Sequence, residues 1–218
     1  MLSFDAVTCV RGGRALFEDL SFALEAGGAA LVTGPNGAGK SSLIRLAAGL
    51  LHPAAGKIVG DAPRALLTDQ ASLDEELTLA RALSFWARLD GAAGNVATAL
   101  DALALTDLAD IPVRLLSTGQ RRRAAIARVV ASGAQLWLLD EPANGLDTAA
   151  LALLEMAIAR HRSAGGAALV ASHTPIMLPD AIAIDLSHSL PTSHPGEGGG
   201  PVATGQKPDP GLRPGGVA

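Results

Sequence analysis

Gly34-Pro35-Asn36-Gly37-Ala38-Gly39-Lys40-Ser41 matches the pattern G-x-x-x-x-G-K-[ST] at every fixed position. The apolar run 29–33 precedes this stretch, and a helical pattern follows it. Glycines let the backbone curl so that successive N–H groups point at phosphate oxygens, and the helix start adds its unpaired donors. Lys40 would bridge the β- and γ-phosphates, Ser41 would bind Mg²⁺, and Ser42 would line the same site. The stretch therefore predicts a phosphate-binding loop between a strand and a helix.

Two acidic side chains follow another apolar run. Asp140 and Glu141 come directly after residues 136–139. Ligands of parallel sheets collect at the carboxyl ends of the strands, so the pair would lie near the phosphate-binding loop. Asp140 is then placed to hold Mg²⁺ through water, and Glu141 to orient or deprotonate an attacking water. Such a pair often marks only a strand that meets solvent, but after a phosphate-binding loop it indicates a P-loop NTPase that uses ATP and Mg²⁺.

The order of apolar runs and helical patterns predicts the fold class. Apolar strands without alternation, separated by helices, are typical of a parallel sheet buried on both faces. We therefore expect an α/β fold with a mainly parallel sheet. The predicted strands are 2–10, 20–24, 29–33, 64–68, 136–139, 167–171 and 181–185, and the predicted helices are 40–50, 79–105 with a break at 91–94, 118–131 and one that follows Asp147.

Composition excludes several kinds of protein. The chain has 218 residues, a mean hydropathy of +0.32 and a net charge of −4. The acidic balance argues against nucleic acid as the main partner. No run approaches the roughly 18 apolar residues of a membrane-spanning helix, and residues 1–10 lack the order of a signal peptide. Cys9 is the one cysteine, which excludes internal disulfides and predicts a small buried side chain in an early strand. We expect a cytoplasmic protein.

The end of the chain has a different composition from the rest. From residue 187 to residue 218, 14 of 32 residues are Gly or Pro, and no apolar periodicity persists. Such a segment cannot bury enough surface to offset the entropy lost on ordering it. We expect a disordered tail here and a single domain over residues 1–186.

A second anion-binding helix start is predicted before the acidic pair. Leu116-Ser117-Thr118-Gly119-Gln120 opens a helical pattern, and Ser117 is a good N-cap. The first turn of a helix attracts anions, so a facing copy of the chain could use this turn to cap the γ-phosphate of ATP. The following arginines, 121–123, point around the helix, and we interpret them as a solvated helix start with interface packing rather than a nucleic-acid site.

These motifs together resemble the ABC ATPases over about residues 2–186. Leu116–Gln120 is similar to the family's signature, with Thr118 in place of its first glycine. The resemblance implies a fold of ATP-binding cassette type, with an N-terminal antiparallel β part and a small helical subdomain at about 72–130. It also implies that Gln70 contacts the metal and signals to a membrane partner, that 144–147 form the D-loop, and that His173 contacts the γ-phosphate.

One position departs from the family pattern. ABC ATPases usually stack adenine on an aromatic residue near the first strand, and this chain has no tyrosine. Arg11, before Gly12, occupies the equivalent place. A guanidinium plane can stack on adenine, weaker base selection is equally compatible, and a solvated loop charge is the simplest alternative.

The closest subfamily resemblance is to the ATP-binding subunits of cytochrome c maturation heme exporters. Residues 115–123, residues 136–147 and the compact helical segment before Ser117 carry it. It implies an ATP hydrolase working as a homodimer, bound to integral membrane subunits on the cytoplasmic face of the bacterial inner membrane. ATP hydrolysis would there release heme from a heme-chaperone complex, and we expect no heme site and no nucleic-acid site on this chain. Two alternatives stay open: the ATPase of another ABC exporter, for lipoproteins or drugs, and a soluble ABC regulator of nucleic acid or translation.

Overall fold

The computed structural model describes residues 1–68 and 73–187. Gln70 and the predicted tail beyond residue 187 lie outside these ranges. In chain order the strands and α-helices are β1 (Leu2–Arg11), β2 (Arg14–Leu24), β3 (Ala29–Thr33), α1 (Lys40–Ala47), β4 (Ala55–Val59), β5 (Arg64–Leu67), α2 (Leu79–Leu89), α3 (Val96–Ala102), α4 (Thr118–Ala131), β6 (Leu136–Asp140), α5 (Thr148–Ser163), β7 (Ala167–Ala171) and β8 (Ile182–Asp185). Short 3₁₀ turns lie at Ala93–Asn95, Thr106–Leu108 and Val113–Leu115.

The first part of the chain forms an antiparallel sheet with strand order β2-β1-β4. Alternate apolar side chains of β1, among them Phe4 and Cys9, point into the core, as a strand buried on one face requires. Cys9 is buried in β1, as expected for a small side chain in an early strand, and burial raises the pKa of its thiol. Strand β4 was not predicted from the sequence, because most of its side chains are exposed and it has no apolar run.

The second sheet has five parallel strands in the order β5-β6-β7-β3-β8. Every residue of β6 and β7 is buried. Side chains alternate between two apolar clusters: Leu136 and Leu138 pack with α1 and the antiparallel sheet, whereas Trp137 and Leu139 pack with α2, α3 and α4. A sheet buried on both faces explains why these strands read as continuous apolar runs.

The mainly parallel α/β fold predicted from the sequence is confirmed. The domain limits inferred there, 1–186 with a helical subdomain at about 72–130, stay a prediction. Among the helices of residues 1–68 and 73–187, none has the length and apolar character needed to cross a bilayer.

Candidate active site

The phosphate-binding loop joins β3 to α1 and depends on glycine conformations. Gly34, Gly37 and Gly39 have φ values of 137°, 82° and 110°, in the region that side chains with a Cβ disfavour. Gly39 is the N-cap residue of α1, and an added Cβ there would lie 3.1 Å from the Cβ of Leu16. These glycine conformations let the loop curl around the N-terminus of α1, which is the geometry that binds phosphate.

Lys40 lies buried inside this loop. Its Nζ donates to the carbonyl oxygens of Gly34 at 2.8 Å and Pro35 at 3.3 Å. The same Nζ lies 3.7 Å from Oε1 of Glu141, and only 6% of the Lys40 side chain is exposed. The loop thus holds the ammonium group at the centre of the site, next to the second of the two predicted acids.

The first acid contacts the loop through a hydroxyl group. Ser41 Oγ donates to Asp140 Oδ1 at 3.0 Å, and Asp140 is buried at the end of β6. This pairing fits Mg²⁺, which takes oxygen ligands and uses one or two protein groups together with phosphates and water. Within the described ranges no three His, Cys, Asp or Glu side chains form a metal cluster.

Glu141 and His173 form a direct pair. Glu141 follows β6 with a left-handed backbone, φ 48°, and its N–H donates to the Ala171 carbonyl at 2.8 Å. Its Oε2 lies 2.8 Å from His173 Nδ1 and accepts the backbone N–H of His173 at 3.1 Å. Because β6 and β7 are adjacent, the residues that follow them meet at the carboxyl end of the sheet. The structure therefore brings Glu141 and His173 together beside Lys40.

A pocket of about 390 Å³ lies over these side chains. Four of the predicted residues do not line the pocket: Gly34, Pro35 and Ala38 belong to the loop, and Asp140 is the last residue of β6. Leu16 also lines the pocket and was not predicted, and Asn144, which was predicted only as part of the D-loop, lines it as well. Leu16 gives no signal in sequence because it resembles any apolar strand residue. The lining residues are Leu16, Asn36, Gly37, Gly39, Lys40, Ser41, Ser42, Glu141, Asn144 and His173.

The predicted signature residues stand apart from this pocket. Ser117 caps α4: its Oγ accepts from the Gln120 N–H at 3.2 Å, and its own N–H donates to Gln120 Oε1 at 2.8 Å. Thr118 and Gly119 form the first turn, and Gly119 lies near the backbone of Gly145. None of these residues lines the pocket of its own chain.

The other predicted contacts have mixed outcomes. Arg11 is exposed at the end of β1, paired with Arg14 across the hairpin, and does not line the pocket. Gln70 lies outside the described residues. The interpretation of arginines 121–123 as a solvated helix start is wrong for Arg122, which is 9% exposed and donates to backbone carbonyls. Helical spacing alone did not reveal which of the three faces the sheet.

The fold and this site define a P-loop ATPase of the ATP-binding cassette type. The family model described as ABC transporter matches residues 17–144. A solved dimeric ATP-binding cassette in a post-hydrolysis state, bound to ADP and phosphate, superposes with a TM-score of 0.70 at 19% identity, over 80% of this chain and 88% of that chain. At that identity the likeness concerns the fold.

Two curated relatives narrow the class. The cytochrome c biogenesis ATP-binding export protein CcmA of Sphingopyxis alaskensis is 61% identical over 181 residues, covering 83% of this chain and 93% of that protein. Its namesake from Zymomonas mobilis is 50% identical over 188 residues, covering 86% of this chain and 85% of that protein. The chain belongs to the ABC transporter family, among its Ccm-type ATP-binding subunits, and is an ATP hydrolase.

Proposed function

We propose that this chain is the ATP-hydrolysing subunit of a heme exporter complex in cytochrome c biogenesis, where hydrolysis drives release of heme from a heme chaperone. The observation that carries the proposal is the Lys40–Glu141–His173 site, in a chain 61% identical to a cytochrome c biogenesis ATP-binding export protein. The site accounts for ATP hydrolysis, and the relatives connect that activity to export.

Each site residue has a proposed role. Lys40 and the loop N–H groups neutralise the β- and γ-phosphates, which lowers the cost of placing negative charge in the site. Ser41 and Asp140 hold Mg²⁺, with Gln70 as a further ligand, and the ion neutralises charge that develops on the phosphates. Glu141 accepts a hydrogen bond or a proton from the attacking water, and His173 orients Glu141 and reaches the γ-phosphate.

The working unit is a homodimer with two shared sites. The start of α4 has unpaired backbone N–H groups, which can bind anions. None of its signature residues lines the pocket of its own chain: Ser117, Thr118, Gly119 and Gln120. A second copy would use this turn to cap ATP held on the phosphate-binding loop of the first. The solved relative bound to ADP and phosphate is itself a dimer. Arg11 would contribute to the base side of each site.

The dimer would act at a membrane. We propose that integral membrane subunits bind it near Gln70 and the helices α2 to α4, on the cytoplasmic face of the bacterial inner membrane. Loss of the γ-phosphate weakens the contact between the two copies and changes the surface that the membrane subunits bind. Heme would be handled by the partners, and neither heme nor nucleic acid would bind this chain.

Partner capture tests the proposal. The tagged full chain carrying Glu141→Gln would be expressed in the source organism, and its membranes would be solubilised with Mg-ATP present. The proteins that co-purify with the chain would be identified by mass spectrometry. The matched control is Lys40→Ala, which should neither bind ATP nor accumulate as the ATP-bound dimer. Membrane subunits of cytochrome c maturation, enriched over the control, are the expected result. A different permease would overturn the heme assignment and leave the ATPase role, whereas a wholly soluble assembly would contradict the transporter role.

A further inference from the structure

Arg122 is a buried cation beside the active site. It lies near the start of α4, soon after Gln120, and faces the end of β6 with only 9% of its surface exposed. A buried guanidinium group needs hydrogen-bond acceptors for its donors. Three of the acceptors that Arg122 contacts belong to the segment that carries the catalytic carboxylate.

Four backbone carbonyls receive hydrogen bonds from this one side chain. Arg122 Nη2 donates to the carbonyl oxygens of Glu141 at 2.5 Å and Asp140 at 3.3 Å, and Nε donates to that of Pro142 at 3.3 Å. Nη1 donates to the Thr68 carbonyl at 2.9 Å. The planar fork of Arg122 therefore holds three consecutive carbonyls, from the last residue of β6 to Pro142, and the carbonyl of Thr68.

The held segment includes a disfavoured backbone conformation. Glu141 has φ 48°, which side chains with a Cβ rarely adopt. Its N–H is fixed by the Ala171 carbonyl, and its own carbonyl is fixed by Arg122. This conformation aims the carboxylate at His173 and Lys40. The surrounding contacts must maintain it, and Arg122 supplies the contacts from the side of α4.

We propose that Arg122 is a positioning residue for Glu141, which it holds in the conformation that presents its carboxylate to the attacking water. The inference rests on the catalytic role proposed above for Glu141. Since Arg122 and the Ser117–Gln120 turn belong to one helix, a shift of α4 when that turn meets a partner's ATP would also move the Glu141 backbone. Arg122 thus connects the signature of one site to the carboxylate of the other.

Arg123 provides a matched control on the same helix. It also donates to two backbone carbonyls, those of Leu103 at 2.8 Å and Ala104 at 2.9 Å. These acceptors lie in the helical part, away from the residues that line the pocket. Replacing Arg123 removes a cation and two backbone hydrogen bonds from the same helix without touching the Glu141 segment. A loss that reflects general stability should therefore appear in both variants.

The experiment compares Arg122→Gln and Arg123→Gln in the full chain, with kcat and KM for ATP measured separately. Arg122→Gln should lower kcat by about 10²-fold, as misplacement of a catalytic group does, and leave KM close to that of the unmodified protein. Arg123→Gln should leave kcat nearly unchanged. Arg122→Lys keeps a buried cation but reaches fewer carbonyls, so its kcat should lie between those of Arg122→Gln and Arg123→Gln. Arg122→Lys also serves as the test variant if Arg122→Gln does not fold.

A double-mutant cycle separates this role from a general defect. In single-turnover assays with radiolabelled ATP, Arg122→Gln should cause no further fall in the residual rate of Glu141→Gln, because both act through one carboxylate. A second fall of the same size, an effect on KM alone, or an unchanged kcat in folded Arg122 variants would each overturn the proposal. Unchanged turnover in Glu141→Gln itself would instead remove the catalytic role on which it rests.

Discussion

Ser41 Oγ donates to Asp140 Oδ1 across 3.0 Å, although the two residues are 99 positions apart in the chain. The contact exists because Ser41 lies in the first turn of α1, at the end of the phosphate-binding loop, while Asp140 ends β6 at the same edge of the sheet. A hydroxyl and a carboxylate at this separation offer the oxygen ligands that Mg²⁺ prefers.

Removing either oxygen should raise the Mg²⁺ requirement. Asp140→Asn and Ser41→Ala are each expected to increase the half-saturating Mg²⁺ concentration for ATP hydrolysis by about 10- to 100-fold, the usual effect of losing a group that orients or binds a metal. Titration of Mg²⁺ at fixed ATP measures this. Ser163→Ala is the control, since its hydroxyl donates to the Ala159 carbonyl inside α5. An unchanged Mg²⁺ requirement in both site variants would contradict the assignment.

Glu141→Gln should separate ATP binding from hydrolysis. The amide keeps the size of the side chain but cannot accept a proton, so turnover should fall by about 10²- to 10⁴-fold. ATP affinity should stay within a few-fold, because the loop and Lys40 still hold the phosphates. Equilibrium binding of a fluorescent ATP analogue, together with phosphate release, measures both quantities. Hydrolysis at the unmodified rate would show that another group activates the water.

Lys40→Ala should abolish ATP binding, which Glu141→Gln retains. The Lys40 side chain is only 6% exposed, and its ammonium group donates to the Gly34 and Pro35 carbonyls, so its loss removes both the phosphate contact and a support of the loop. ATP binding should become undetectable in the same fluorescence assay. Lys57→Ala is the control, because that lysine is 70% exposed and pairs with Asp5 on the antiparallel sheet. Retained affinity in Lys40→Ala would contradict the phosphate role.

Local signals in the sequence predicted much of this molecule. Helix α4 has the predicted bounds, 118–131, because Ser117 and Gln120 form a capping box that marks its start. The strand 167–171 is equally well bounded, since Gly165 and Gly166 precede an uninterrupted apolar run. The loop and the acidic pair were predicted by their positions after apolar strands, and His173 by the family resemblance. The structure brings these residues together.

The missed features depend on contacts between distant segments. Leu16 lines the pocket only because the antiparallel sheet folds over the loop. Arg122 is buried because carbonyls 18 to 20 and 54 positions away surround it, which no helical spacing reveals. Strand β4 forms through its hydrogen bonds to β1 while its side chains stay mostly exposed.

The phosphate-binding loop should not tolerate Gly39→Ala. Gly39 has φ 110°, and an added methyl group would lie 3.1 Å from Leu16 Cβ and 3.2 Å from Phe17 Cδ1. The strained backbone should lower the free energy of unfolding by about 1–3 kcal/mol and weaken ATP binding. Chemical denaturation and ATP titration check these effects. Gly94→Ala is the control, because a methyl group there meets nothing within 4 Å and needs no left-handed backbone. Equal stability of the two variants would contradict the expectation.

His161 should make the stability of the protein depend on mild acidification. Its ring stacks on Trp137 at 4.0 Å, and its Nε2 lies 3.2 Å from the Ala167 carbonyl oxygen. Burial lowers the pKa of His161 below its ordinary value of 6.5, and hydrogen bonds to the Ala167 and Gln135 carbonyls oppose the shift. As the pH falls through about 6.5, the unfolded chain takes up the proton first.

Acidification should therefore lower the free energy of unfolding through this group, whereas above about pH 8 the imidazole is neutral in both states and contributes no dependence. The slope from His161 is at most about 1.4 kcal/mol per pH unit, the value for one proton. Denaturation of the unmodified chain and of His161→Phe between about pH 7.5 and pH 5.5, one unit either side of 6.5, isolates the contribution of His161, because other titrating groups are common to both. Phe keeps the stacking on Trp137 and has no proton to gain, so its curve should be flatter. Parallel curves would mean that His161 takes up its proton equally readily in the folded protein, contrary to its burial against Trp137.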